Sequence, residues 1–315
     1  MTVTSIVSVT DGPQITVSEI AGNPLWVPTK LKELLANQFI SEAILRNAGP
    51  NPTGVVAYRE GDPMFLEGDV QDVAEGGEIP VSYTGVGTPR SAFATKRALG
   101  IRITKEMIDE NQIDNVNKQL TGLKNTFIRS NDRVAKALLM SGSVPTIAVT
   151  TAWDAPTGSK PRTDIVKAID AVTSAQPTVA QGGSDDEFFG FEPDTILVHP
   201  SMRAALLDND QINKVLVGNL ADQNILYTGA LPETIYGLQV VQSRSFPKDR
   251  ALVCQRGVLG FYSDTRALQF TGLYAEGGGP NGGPTETWRS DASMKRAQGL
   301  DQPKAAVWLT GLTTP

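Results

Sequence analysis

Cysteine and histidine are almost missing from this chain of 315 residues, where Cys254 and His199 each stand alone. A single cysteine excludes an intrachain disulfide framework and any zinc or iron–sulfur site built on several thiolates. A single histidine excludes His-rich metal sites and leaves one imidazole for catalysis. No apolar run approaches the ~20 residues of a membrane span. The opening Met-Thr-Val-Thr-Ser-Ile-Val-Ser lacks the basic segment of a secretory signal, so the expectation is assembly in a reducing cytoplasm with no membrane partner. Excess positive charge is also lacking. Lys and Arg number 28 against 34 Asp and Glu, a net charge of −6, which argues against an overall electrostatic footprint for nucleic acid and leaves room only for a local patch. What remains is an ordered globular composition, 40% apolar and 20% charged. The length accommodates about two domains or one elaborate one, with enough buried surface to hold a core without cross-links.

Along the chain, residues 1–28 carry Gly12-Pro13, Gly22-Asn23-Pro24 and Pro28 with no helical period, and read as an extended arm. Thr29 suits an N-cap for a helix through Leu31, Leu34, Leu35, Phe39, Ile40, Ile44 and Leu45, ended by Asn47–Pro52. From Val55 to Ile103, short β-favouring stretches alternate with Gly61-Asp62-Pro63, Glu75-Gly76-Gly77 and Gly85-Val86-Gly87. That pattern predicts a long twisted hairpin. An isolated two-stranded ribbon is marginal in water, so its burial is expected on a neighbouring subunit. Thr104 is placed to cap a short helix. Asp114 then starts a helix of about 25 residues, close to 40 Å long, with Val116, Leu120, Leu123, Phe127, Val134 and Leu138 on one face and Ser141-Gly142 as its stop. Further on, Asp164–Ser174 and Ser201–Leu207 are predicted helices. Thr195–Val198, Leu238–Val241, Ala251–Cys254, Val258–Tyr262, Thr287–Ser290 and Ala305–Leu309 are predicted strands, in the alternation of an α/β layer.

Candidates for chemistry are few. His199, in Val-His-Pro-Ser, could serve as a general base, but no Gly-x-Ser-x-Gly elbow accompanies it and a strand-exit polar role is the better reading. Cys254 lies in the aliphatic run Ala-Leu-Val-Cys and reads as a buried thiol. Gly277–Pro284 lacks the Gly-Lys-Ser/Thr ending of a phosphate loop, and Gly85-Val-Gly-Thr-Pro-Arg has no helix after it. Asp185-Asp186-Glu187 lacks the ligand spacing of a calcium loop. Lys118, Lys124, Arg129 and Arg133 on the long helix, with Asp132 between them, read as a solvated face or a subunit contact. No constellation carries a reaction, and neither cofactor nor metal is expected.

The order of arm, hairpin, long helix, α/β layer and closing strands resembles the major capsid proteins of tailed double-stranded DNA phages, the Hong Kong 97 capsid fold. The strings that carry the resemblance are Val73-Ala-Glu-Gly-Gly-Glu-Ile-Pro80, similar to that family's extended loop; Ile101-Arg-Ile-Thr-Lys-Glu-Met-Ile-Asp-Glu110; Glu192-Pro-Asp-Thr-Ile-Leu-Val-His-Pro200; Ile235-Tyr-Gly-Leu-Gln-Val-Val-Gln-Ser243; and Ser293–Trp308. The resemblance covers about residues 20–312.

The resemblance implies an α+β capsid fold with an N-terminal arm and short helix over 1–54, an extended β-hairpin loop over 55–98, and a peripheral domain beginning with a spine helix over 99–143. An α/β axial domain over 144–267 and closing peripheral strands over 268–315 complete it. It implies a major capsid protein that assembles into pentamers and hexamers of an icosahedral shell, located in the virion and without catalysis. Expected partners are other copies of the chain, a portal, separate scaffolding or decoration proteins, and packaged double-stranded DNA held non-specifically. The intersubunit contacts expected are Trp26, Glu75, Gly76, Gly77, Glu78, Pro89, Arg90, Lys118 and Arg129. Pro89 or Arg90 stands near the place where some relatives carry a cross-linking Lys, with Lys96 several residues away, so no isopeptide cross-link is expected. Only about twenty residues precede the start of the resemblance, so a fused scaffolding segment is not expected. The negative net charge fits a container filled by a motor without a basic lining. Two alternatives stay open: an encapsulin-like compartment shell, and an α/β enzyme with a mobile β-arm lid.

Overall fold

The computed structural model describes residues 25–314 except 36–38, 63–64, 67, 142, 156, 178–187, 203–204, 207–208, 210–233 and 280–281. Most of the N-terminal arm, the Asp185-Asp186-Glu187 loop and part of the expected Ser201–Leu207 helix therefore lie outside the described residues.

Helix α1 (Trp26–Leu35) turns Val27, Leu31 and Leu35 inward, and α2 (Ile40–Ile44) buries Ile40, Ser41 and Ile44. The first helix starts four residues earlier than an N-cap at Thr29 would set it. Pro28 sits in its first turn, where a missing N–H costs nothing, and the Thr29 hydroxyl donates back to the Leu25 carbonyl. Asn47–Pro52 does more than end a helix. Strand β1 (Arg46–Pro50) runs there and pairs in parallel with β10 (Phe261–Phe270).

The first sheet is organised on β12 (Thr287–Gly299), thirteen residues against the four expected. It lies antiparallel to β10 on one side and to β4 (Thr95–Thr104) on the other, with the short β11 (Tyr274–Ala275) also on it. Ser290, Ala292, Met294 and Arg296 are its buried alternate residues, the period of two that one covered face requires. The cover is the long helix α4 (Ile113–Leu139). Its Val116, Leu120, Leu123 and Phe127 meet Ile101 and Ile103 of β4, Ala292 and Met294 of β12, and the inward face of α1. Thr104 caps α3 (Lys105–Asp109) as expected, its Oγ1 accepting from the Met107 N–H. Asp114 falls in the first turn of α4, not at its cap, a placement that still favours an acid near the positive end of the helix. The second half of α4 departs from the expected face. Asn131, Asp132, Ala135 and Leu139 are buried there, while Val134 and Leu138 are only partly covered.

The second sheet runs β5 (Thr146–Ala148), β13 (Ala306–Thr310), β9 (Arg250–Cys254), β6 (Thr195–Val198), β8 (Leu238–Gln242) and β7 (Thr234–Ile235). Helix α5 (Pro161–Thr173) covers one face with Ile165, Ala168 and Val172. Ile40, Ile44 and Leu139 cover the other, against Leu197, Leu252, Cys254 and Trp308. Burial on both faces explains why β6 reads as the unbroken run Thr-Ile-Leu-Val, all four residues buried. Two expectations are corrected here. Val258–Gly260 precede the strand, which runs instead from Phe261, and the final strand joins this second sheet instead of the first, because β9 and β5 take up both its edges.

The third unit is a two-stranded ribbon, β2 (Val55–Glu60) with β3 (Thr88–Phe93), in register from Val55↔Phe93 to Glu60↔Thr88. The hairpin thus ends at Phe93. Residues 95–104 leave it for the first sheet, where β12 offers ten paired positions.

Candidate functional site

The described candidates for catalysis, His199 and Cys254, are held in structural roles. His199 Nδ1 accepts the Ser201 backbone N–H at 3.1 Å and lies 2.7 Å from the Ser201 hydroxyl, closing the turn after β6. Partial burial, then the charges of Lys248 and Arg244, hold its pKa below the ordinary imidazole value. Cys254 is fully buried, its thiol pushed up to about 12 chiefly by desolvation, and so is inert as a nucleophile. Among the described residues no group of His, Cys, Asp or Glu is arranged to hold a metal ion. No described helix is long and apolar enough to cross a membrane. A cavity of about 140 Å³ between Glu60, Thr88, Phe189, Gln302 and Lys304 falls short of the few hundred Å³ that a small-molecule site needs.

The informative surface is the ribbon. No residue of β2 is fully buried, and in β3 only Ala92 is. Beyond the ladder, one bridge between Leu66 and Thr84 and the Gly68 N–H to the Ser82 hydroxyl at 2.7 Å hold the two arms together. At the tip the Gly77 N–H donates to the Ala74 carbonyl at 2.8 Å. Gly76, at φ +80°, supplies the left-handed turn residue that side chains resist. Glu75, Gly76, Gly77, Glu78, Pro89 and Arg90 are all exposed. Arg90 crosses the ribbon to the Glu60 carboxylate at 2.7 Å, which raises its pKa further.

Residue-type reasoning missed the apolar content of the tip. Val70 is 95% exposed, Val81 81%, Ile79 77% and Tyr83 76%. Ile79, Val81 and Tyr83 alternate with Pro80 and Ser82, the period of a strand with one apolar face. That signal was present in the sequence. Among the described residues, nothing covers this face.

The root of the ribbon, by contrast, is fixed. The Gly61 N–H donates to the Asp301 carbonyl at 2.7 Å, the Gly87 N–H to Asp62 Oδ1 at 2.9 Å, and Gln302 Nε2 to the Asp62 carbonyl at 3.2 Å. Gly87 is obligatory in this clamp, since a Cβ there would stand 2.6 Å from Asp62 Oδ1 and 2.7 Å from the Glu60 carbonyl. Tyr58 meets Phe261 edge to face at 5.1 Å over the small cluster of Ala92, Phe261 and Ala297.

Trp26, Lys118 and Arg129 lie apart from the ribbon. Trp26 is half-buried against the core beneath α1, whereas Lys118 and Arg129 are exposed on α4. The structure does not bring these three together with residues 75–90. Nearer the middle of the molecule, Arg296 is buried with both Nε and Nη2 on the Asp264 carboxylate, at 2.6 and 2.8 Å. Its Nη2 also reaches Glu42 at 2.8 Å, and its plane lies 4.3 Å over Tyr262. Asp132 accepts from the Ile40 N–H at 3.3 Å and from the Ser245 hydroxyl at 3.2 Å. It meets no cation among the described residues, and desolvation raises its pKa to about 6. Its expected place on a solvated face is thereby corrected: α4 turns it inward toward α2 and the segment after β8.

The described residues build a helix-covered sheet, a second α/β sheet and a two-stranded ribbon whose apolar tip stands exposed. A family profile described as "Phage capsid protein" matches residues 87–303. The chain belongs to the phage capsid protein family; its role is structural, not catalytic, and its place is the capsid of the virion. Solved structures agree at the level of fold. A chain of Microbacterium phage Oxtober96 is 16% identical with a TM-score of 0.61, covering 98% of this chain and 96% of that one. The capsid of an empty GTA particle gives 10% identity and a TM-score of 0.61 over 89% and 92%. A virus-like particle from Pyrococcus furiosus gives 9% and 0.55 over 90% and 97%. The α+β fold is therefore of the Hong Kong 97 capsid type. No curated protein matches the sequence.

Proposed function

We propose that this major capsid protein builds an icosahedral shell of pentamers and hexamers around double-stranded DNA, using the ribbon as its principal reach between subunits. The observation that carries this reading is the run of Val70, Ile79, Val81 and Tyr83, four large side chains in water at the end of a clamped ribbon. Each contributes about 1.5–3 kcal/mol when fully buried, so the monomer forgoes a sizeable stabilisation that a second copy can supply. The exposed tip residues Glu75, Gly76, Gly77 and Glu78, with Pro89 and Arg90 along the shaft, would face that neighbour, and Trp26 would meet one at the edge of α1.

In this reading the extended loop, expected over 55–98, is the ribbon of residues 55–93, and β4 opens the first part of the peripheral domain, with α4 as its spine helix. The axial domain, expected over 144–267, then comprises residues 144–260 joined by β13, while β10 and the return through β12 belong to the peripheral one. Self-association follows from the capsid role; a portal and separate scaffolding or decoration proteins are further proposed partners. Lys96 lies in β4 opposite Lys295, away from the tip, which supports a shell without isopeptide cross-links. Electron microscopy of the purified protein tests the reading: closed shells are expected, and single copies at every concentration would overturn it. Packaged genomic DNA in particles from infected cells, as against co-purifying enzyme cargo, separates the phage shell from a cellular compartment. Boiling in SDS should release one band of monomer mass.

A further inference from the structure

Helix α4 carries net positive charge in an acidic chain. Residues 113–139 hold five basic and two acidic residues, +3, while the rest of the chain holds 23 basic and 32 acidic, −9. The structure sharpens the contrast, because the acid that interrupted the basic run in sequence, Asp132, is turned inward and buried. Lys118, Asn125, Arg129 and Arg133 lie exposed at steps of seven, four and four, one face of a helix, flanked by the half-exposed Lys124 and Lys136. From Lys118 to Lys136 this ridge extends about 27 Å at 1.5 Å per residue and contains no exposed acid. None of its five cations is ion-paired within the chain among the described residues. Cations with no ion pair among the described residues over such a length are available to an anion outside the subunit.

Gly122 is a second, independent sign. It sits in the interior of α4 on the same exposed face, and a Cβ there would meet nothing within 4 Å. Glycine weakens a helix interior relative to alanine, and no contact among the described residues requires its smallness. A gap in the ridge is useful to a surface approaching from outside. The uncharged residues around it are Asn117, Thr121, Asn125 and Thr126, which supply amide and hydroxyl donors, and the face presents no aromatic side chain. Donors and cations without base-reading or stacking groups suit a phosphate backbone held irrespective of sequence.

We propose that the ridge Lys118–Arg129–Arg133 of α4 is the contact surface for the phosphate backbone of the packaged double-stranded DNA. This rests on the capsid reading above. It replaces the expectation of a shell with no basic lining by one to which each subunit contributes a basic ridge. It also gives Lys118 and Arg129 a nucleic-acid partner in place of a subunit contact.

The test is binding of a short mixed-sequence duplex, fluorescently labelled, to the unassembled full-length chain across a salt series, read by anisotropy. Lys118→Gln/Arg129→Gln/Arg133→Gln should weaken binding at least about tenfold at low salt and flatten the log–log salt slope by about 2.7, which is about 0.9 for each phosphate no longer neutralised. Lys167→Gln/Arg244→Gln/Lys248→Gln removes the same charge from other exposed positions and should leave the slope unchanged. Arg129→Lys/Arg133→Lys keeps the charge and should bind as the parent does, which guards against a misfolded triple variant. Equal weakening in both Gln triples, or none in the ridge triple, overturns the proposal. Displacement of the duplex by poly-glutamate, charge for charge, also overturns it and assigns the ridge to an acidic polypeptide. Electron microscopy separates this from the reading beneath it: ridge variants that form shells yet bind duplex like the parent sink only the DNA surface, and absence of shells in the parent sinks the capsid reading.

Discussion

The β6 strand and the β2–β3 ribbon are both short stretches of β-favouring residues, yet their fates are opposite. All four residues of β6 are buried between α5 on one face and α2 with the end of α4 on the other, whereas none of β2 is fully buried. The first is complete within one chain. The second holds its angle through backbone bonds at the root and leaves the apolar tip in water. In the proposed shell the two have different tasks: a body that folds before assembly, and a limb whose stabilisation would arrive with a neighbour. Burial, more than secondary structure, tells the two apart.

The strongest way to break this comparison is to remove the tip's apolar surface. Val70→Ser/Ile79→Ser/Val81→Ser/Tyr83→Ser should leave the urea midpoint of unassembled subunits nearly unchanged, since exposed substitutions usually shift stability by within about 0.5 kcal/mol. Assembly should fail or demand far higher concentration, because about 1.5–3 kcal/mol per side chain is withdrawn from the contact. A variant that unfolds without losing assembly would reverse the roles assigned to body and limb.

The reciprocal experiment sits in the second sheet. Trp308 is buried, stacks obliquely near Phe246 at 6.0 Å, and donates its indole N–H to the Leu139 carbonyl at 2.9 Å, tying β13 to the last turn of α4. Trp308→Ala should destabilise unassembled subunits by about 3–5 kcal/mol, measured by urea or thermal unfolding. A change below about 1 kcal/mol would mean that the sheet and helix are not one cooperative unit.

Asp132 lies within the body, at the seam where α4 meets α2 and the segment after β8, and its protonation can be followed. Its folded pKa of about 6 lies above the ordinary value of about 3.9. The folded state therefore binds the proton more tightly than the unfolded one. The stabilisation is fully present below about pH 4 and is lost as pH rises through about 6. Asp132→Asn should remove that dependence and raise stability at pH 7 to 8 by about 1–2 kcal/mol, after allowance for solvent screening. Parallel pH profiles in parent and variant would show that the carboxylate is not desolvated at this seam.

Much of the body was legible because its signals are local. The four-three-four spacing of Val116, Leu120, Leu123 and Phe127 marks the buried face of α4, Thr104 marks the cap of α3, and Thr195–Val198 reads as a strand at its correct bounds. What escaped is what partners impose. Asn-Ala-Gly-Pro reads as a turn, yet β1 exists because Phe261, Tyr262 and Asp264 pair with it and the Ser263 hydroxyl donates to the Gly49 carbonyl at 2.8 Å. Ser, Asp, Lys and Arg disguise the length of β12, which two long neighbouring strands enforce. Asp132 looks like a surface residue in a basic run, and only the approach of α2 and Ser245 turns it into a buried one. The candidate surface was half legible: the hairpin and its glycine tip follow from residue types, while its uncovered apolar face emerges only when no other described part of the chain arrives to cover it.

The smallest expected effect concerns the shaft of the ribbon. Arg90 holds Glu60 at 2.7 Å across the two strands with its own side chain more than half exposed. An ion pair in water is offset by side-chain ordering and screened by salt, so Arg90→Ala should produce no resolvable shift in the unfolding midpoint of unassembled subunits. The root clamp of Gly61, Asp62, Gly87 and Gln302 remains whole without it. If Arg90 nevertheless matters in the shell, the effect must come from a neighbour's acid or carbonyl meeting the guanidinium. It should then be visible only in assembly and should fade as salt is raised. Light-scattering assembly curves for Arg90→Ala and Glu60→Gln distinguish the cases. A defect shared by both variants points to a stiffened ribbon, whereas a defect confined to Arg90→Ala locates the partner on the next subunit.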